Sequence, residues 1–507
     1  MTETPGKSKR APTKLASATA KTKTAKTKTP KTNAPSPPST GTVGSWEDDP
    51  ATAVGLTVPT PDLSKLPLAF SFPAGGPPPA IYAQGTSEFR YWATAAALRR
   101  CADYWAQRVP LTQWYGGPSL NVVLDNGFEL GANYDRAALN FYHGPGVTGT
   151  VFTCESPDVS CHEMGHAVLD AFKPGLWGAA SQEAAAFHES FGDISALMSA
   201  IQIPSLRTTI LTVTGGNLYT KSRLSRLAEQ LGSALRAQDP DLAEADCLRN
   251  AANCFNYQDP TTLPNMAPMS QLSSEPHSFS RIFTGAFYEI LGASLAAKAA
   301  NPGTPTEAEL LAVANDLAGF LVQGVKWSSP IVTNCYAHVA ANMVIAAQAD
   351  PTYSSIAKGV FVGRSILSLQ SASSLPMMAK VKSLTAAAKS ATPEREPLPM
   401  VGLPASQYGI DGVLFVEAAA EPRDFIVTSA GFNAEPITPP SGTAAAMAFV
   451  DDLFMRGQID YGAVVDPERR LVRNHKSKTH ALVKVDGGAR LERRLFDCGL
   501  CARGVSH

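Results

Sequence analysis

The sequence predicts an α+β protein: a basic leader, a large folded domain in which strand-like segments give way to helices, and a small second α+β unit. Three observations carry this. Residues 7–31 hold Lys7, Lys9, Arg10, Lys14, Lys21, Lys23, Lys26, Lys28 and Lys31, with no acid and no hydrophobic periodicity. Short strand-like runs around residues 120–142 precede long segments of helical period. A stretch rich in Ser, Ala, Lys and Pro at 371–400 then separates these from further strand-like and helix-like segments at 401–507. At 507 residues the chain is long enough for two or three domains.

Charge and cysteine content narrow the class. The 43 basic and 44 acidic residues nearly cancel, so net charge marks no partner. The local excess in residues 1–55 does, and this tail is expected to be disordered. It could lie on nucleic acid or an anionic surface, or remain a solvated leader with no specific contact. No apolar core follows the basic start and the later apolar runs are interrupted, which predicts neither a Sec-type signal peptide nor a membrane span. Eight cysteines in so long a chain do not make a disulfide scaffold. A reduced, cytoplasmic protein is expected, or one exported without a Sec-type signal.

Folding is expected to begin near residue 60. Residues 89–108 read as an amphipathic helix, with Tyr91, Trp92, Ala95, Leu98, Cys101, Ala102 and Trp105 on or near one face. Residues 120–124 and 139–142 read as strands, with a turn at Asn126-Gly127, so an antiparallel sheet is expected. Asn133 and Tyr134 would lie at its edge, where an extended peptide could add as a further strand.

The chemistry centres on His162-Glu163-Met164-Gly165-His166. Ser156 can cap this segment, Pro157 suits the first helical position and Asp158 suits the positive end of the dipole, which together predict a helix. Two histidines one turn apart point the same way and can share one metal at roughly 2.0–2.1 Å each. Glu163 then lies beside that metal, placed to move a proton. Ser181 can cap a second helix to about Ile201, in which Glu189 and Asp193 share a face. Glu189 can complete a His/His/Glu set, and Asp193 can accept the second ring N–H of a ligand histidine. His188 is turned about 100° from Glu189 and reads as packed or solvated. Residues 205–247 look helical and polar; Asp246 to Arg249 and Glu275 to Ser278 follow, leading into a helix whose Phe279, Ile282, Phe283, Ala286, Phe287, Ile290 and Leu291 keep the helical period.

In their order and spacing, H-E-x-x-H, E-x-x-x-D (Glu189 and Asp193), D-x-L-R (Asp246 to Arg249) and His277 resemble the thermolysin-like zinc metallopeptidases, the gluzincins. The resemblance covers about residues 60–370 and implies a two-lobed domain, an antiparallel sheet lobe followed by a helical lobe. It implies one zinc ion held by His162, His166 and Glu189, with Glu163 as general base, Arg249 holding a substrate carbonyl and His277 stabilising the transition state. The chain departs from the family pattern in a longer loop before Glu189, in Trp177 where the family has an oxyanion tyrosine, in lacking the aspartate that orients the catalytic histidine, and in most calcium-ligand acids. Trp177 could donate through its indole and Glu275 could orient His277.

Beyond 400, residues 412–417, 424–429 and 480–485 read as strands and 442–456 as a helix. Cys498 and Cys501 could join His475 or His480 in a second metal site, or be ordinary thiols. The expected function is zinc-dependent hydrolysis of peptide bonds, with a peptide or protein as substrate. The alternatives are a zinc-stabilised binding module without activity and an aminopeptidase.

Overall fold

The computed structural model describes residues 41–375, 398–422, 439–461 and 478–499. The basic run at 7–31, most of the 371–400 linker, the strand expected at 424–429, His475 and Cys501 lie outside the described residues. The fold starts earlier than residue 60. Strand β1 (Thr42–Trp46) pairs antiparallel with β2 (Gly55–Pro59), and Val43 and Trp46 are buried against the first long helix. Leu56 and Val58 of β2 pack beside them, and the turn after β1 sinks Glu47, Asp48 and Asp49 into the protein, where Arg223 pairs with the first two.

Strand β3 (Ala69–Ser71), helix α1 (Ser87–Ala106) and strands β4 (Ser119–Val123), β5 (Gly131–Tyr134) and β6 (Ala138–Phe141) follow, then a small hairpin of β7 (His143–Pro145) and β8 (Thr150–Phe152). The sheet is mixed rather than antiparallel: β3, β4 and β6 run parallel, and only β5 is antiparallel to β6. The crossover through α1 explains this, because a helix between β3 and β4 returns the chain in the same direction.

Helices make the rest of the large unit: α2 (Pro157–Phe172), α3 (Gln182–Ile201), α4 (Pro204–Thr214), α5 (Glu229–Gln238), α6 (Pro276–Lys298), α7 (Glu307–Trp327), α8 (Cys335–Ala346) and α9 (Pro351–Gly363). A two-residue ladder of β9 (Arg226–Leu227) and β10 (Arg249–Asn250) ties the loop after α5 back to the segment before it. The apolar period of α6 is core as expected, with Phe279, Ile282, Phe283, Phe287 and Ile290 fully buried. Helix α7 is long and apolar enough to cross a membrane, yet half of its apolar window is buried inside the protein, with Leu310, Leu317 and Leu321 in the core.

The second unit is a sheet in the order β11 (Met400–Pro404), β12 (Val413–Glu417), β15 (Gly488–Arg493), β14 (His480–Val485), β13 (Ile459–Asp460), with α10 (Gly442–Met455) on its core of Leu414, Val416, Phe449, Leu453 and Leu482. It is not separate from the large unit. Ala180 and Ala185 belong to its core, and the Ala180 N–H donates to the Glu417 carbonyl. The last strand, β16 (Phe496–Gly499), leaves this sheet and pairs antiparallel with β5, becoming the edge of the first sheet.

Candidate metal centre

Local chemistry builds both helices of the centre as their sequences predict. Ser156 caps α2 by accepting from Val159 N–H, with Pro157 in the first turn, and Ser181 caps α3 by accepting from Ala184 N–H. Two glycines let the helices approach. A Cβ on Gly192 would stand 2.7 Å from the His162 ring, and one on Gly165 would stand 2.8 Å from the Gly192 Cα, so no larger residue fits at either position without displacement.

His162, His166, Glu189 and Cys498 turn one ligand atom each toward a common point, all within 4.8 Å of one another. His162 Nε2 is 3.1 Å and His166 Nε2 3.5 Å from Glu189 Oε2. Cys498 Sγ is 3.5 Å from His166 Nε2 and 3.7 Å from Glu189 Oε2. A tetrahedral ion held at about 2.0–2.1 Å by nitrogen and oxygen and about 2.3 Å by sulfur spaces its donors roughly 3.3–3.6 Å apart. The four residues therefore fit a metal ion.

The other ring nitrogens are held as a ligand pair requires. His162 Nδ1 donates to Asp193 Oδ1 at 2.9 Å, as the helical spacing of Glu189 and Asp193 predicts. His166 Nδ1 is 2.9 Å from His188 Nδ1, so His188, read from sequence as packed or solvated, is buried against a ligand histidine. Burial lowers the His162 pKa, but Asp193 and Glu189 overcome it and hold the group up at about 9. Burial takes His166 down to about 4. Burial would raise Glu189 too, but the surrounding histidines keep it well below the usual carboxylate range.

Glu163 is fully buried, and neither of its oxygens has a hydrogen-bond partner. The Cys498 thiol approaches it without completing a bond. Burial pushes Glu163 up to about 8.

His277 and Arg249 reach the same place from other elements. His277, in the first turn of α6, sets Nδ1 2.7 Å from Glu275 Oε1 and Nε2 3.1 Å from Glu189 Oε2, so Glu275 does orient it. Arg249, on β10, pairs with Asp193 through Nη2 at 2.7 Å and Nε at 3.3 Å. It lines a cavity of about 20 Å³ with Val159, Leu227, Leu231, Leu248 and Cys498.

Three expectations need correction. The Trp177 indole N–H donates to the Arg493 carbonyl at 3.2 Å while Arg493 Nε donates back to the Trp177 carbonyl, so this group braces the second unit instead of facing an oxyanion. Asn133 and Tyr134 lie on the strand expected, but its outer edge is already taken by β16. Their side chains are inward, Asn133 donating to the Tyr142 hydroxyl and Tyr134 to Asp170 Oδ2. Cys498 belongs to this centre and not to a second one, since His480 sits in the other sheet beside Thr479. The short C-x-x-C flagged the thiol; nothing local could show that its strand crosses to the first sheet.

No family model matches the chain, and no curated protein matches it.

Proposed function

We propose that the protein is a zinc peptidase that cleaves within extended peptide chains, with Glu163 as the proton carrier. The observation that supports this most is the buried, unpartnered Glu163 carboxylate one residue from a ligand histidine. A metal that only braced the fold would have no use for it, and a buried carboxylate without a partner is costly to fold, so its presence favours a functional role. A zinc ion, which favours this donor set and spacing, would polarise a peptide carbonyl and make water acidic enough to attack near neutral pH.

The chain's own groups supply the rest. With the charge of a bound metal beside it favouring the ionised form, Glu163 can take the proton of the attacking water on a carboxylate oxygen and return it to the leaving nitrogen. His277, fixed at Nδ1 by Glu275, offers Nε2 to the developing oxyanion. Arg249, fixed by Asp193, is a donor for a neighbouring substrate carbonyl. Asp193 and His188 hold the two ligand imidazoles in their tautomers.

Glu163→Gln is expected to keep about one zinc per chain while lowering peptide turnover by about 10²–10⁴-fold. Both proteins are compared as purified and in a Cys498→Ser background, by metal analysis and cleavage of a mixed peptide library. One specific observation favours a second reading, a zinc-stabilised binding module: Cys498 completes four donors and leaves no open position. Zinc in every variant with cleavage in none would decide for it.

A further inference from the structure

We infer that β16 is a built-in occupant of the cleft: Cys498 is the fourth metal ligand and the strand fills the edge where a substrate would lie, holding the centre latent until it leaves. The inference rests on the peptidase reading above and concerns regulation of that same site.

Three independent features converge on it. Phe496, Asp497, Cys498 and Gly499 stand opposite Tyr134, Asn133, Ala132 and Gly131, so β16 uses the main-chain groups on the outer side of β5 that an extended peptide would need. Cys498 Sγ sits 3.5 Å from His166 Nε2 and 3.7 Å from Glu189 Oε2, close to tetrahedral spacing, and within 4.8 Å of the His162 donor. A site with four protein ligands has no position for water, which separates a closed metal site from a catalytic one. Phe496 completes the seal. Its ring stacks on His188 at 4.0 Å and on His166 at 4.9 Å, meets Trp177 edge-on at 5.5 Å and lies under the Arg493 guanidinium at 4.2 Å. It belongs to the core of the large unit although the strands just before it belong to the other.

The arrangement is poised to open as well as to close. Among the described residues, β16 pairs with β5 at four positions, whereas β14 and β15 pair over six. The reciprocal Trp177–Arg493 bonds anchor the chain just before β16, so a released strand stays tethered nearby. On ligation the thiol loses its proton to solvent and the sulfur lone pair fills the metal's fourth position; on release the thiolate takes a proton back and water can enter. No oxidant is needed.

The test uses the full chain with zinc replaced by cobalt(II), which reports a thiolate ligand as a sulfur-to-metal charge-transfer band. The band is expected in the wild type and lost in Cys498→Ala, with metal still at about one per chain. With zinc restored, peptide-library cleavage by Cys498→Ala is expected to exceed that of the wild type by about tenfold or more, because a tethered occupant competes at roughly millimolar effective concentration. Phe496→Ser, which leaves the sulfur in place, is expected to give an intermediate gain and a weaker band. Absence of the band in wild type overturns the ligand assignment, and equal cleavage by wild type and Cys498→Ala overturns latency. A band lost in Cys498→Ala with no cleavage by any variant would sink the peptidase reading while leaving the ligand assignment standing.

Discussion

Asp193 shows how much one side chain can carry. Its carboxylate accepts from His162 Nδ1 and from Arg249, and Arg249 in turn keeps it ionised far below the usual range despite complete burial. Asp193→Asn should therefore loosen a ligand imidazole and a guanidinium together. Metal affinity is expected to fall by about 10–100-fold, read by competition with a chelator. An unchanged affinity would mean that packing alone, the stack of His166 on Phe496 included, orients the rings. Sequence reached this residue because it lies one helical turn from Glu189 on the same helix. It missed the His188 contact, which depends on how α2 packs on α3, and the indole's commitment to Arg493, which comes from far along the chain.

The elements divide the same way. Helices α2 and α3 were legible from caps, period and motif because everything that forms them is local. The sheet was legible as strands but not as pairing, because direction depends on the crossover through α1 and the edge on β16. The glycine contact between the two helices yields a sharp expectation: Gly192→Ala should push the His162 ring out of place and lower bound metal well below one per chain, with helix content kept. Full metal loading would show that α3 can shift enough to absorb a methyl group.

A second element-level expectation concerns the start of α2. Asp158 there faces Asp48 and Asp49 from the β1 turn and Glu229 from α5, with Arg223 and Arg226 the cations at hand and Glu47 and Asp246 their other partners. Burial raises Asp48 to about 7 and Glu229 to about 9. These folded-state values lie above the unfolded ones, so the folded state holds more protons in between. The associated stability is full below about pH 4 and is lost as pH rises through the folded values. The urea midpoint should fall from pH 5 to pH 9, and Glu229→Gln should flatten the upper half of that fall. A midpoint that stays level over this window would show the acids to be ionised and paired.

At the scale of the whole molecule, the parts of the centre come from very different distances. His162 to His277 lie within one stretch of chain, whereas Cys498 meets His166 across 332 residues. Closing so long a loop costs roughly 5 kcal/mol of chain entropy by the logarithmic rule, which the contacts of β16 must offset, so the strand is expected to dock after the local elements of the centre. Backbone amides of β16 should accordingly exchange with deuterium well before those of β6, and equal protection would count against a separable strand. The order of construction then has a consequence of its own. On the peptidase reading proposed above, a chain that assembles its metal centre first and receives the covering strand last would pass, each time it folds, through an interval in which the nearest peptide is another part of itself. How briefly that interval lasted would then decide whether the molecule arrives whole.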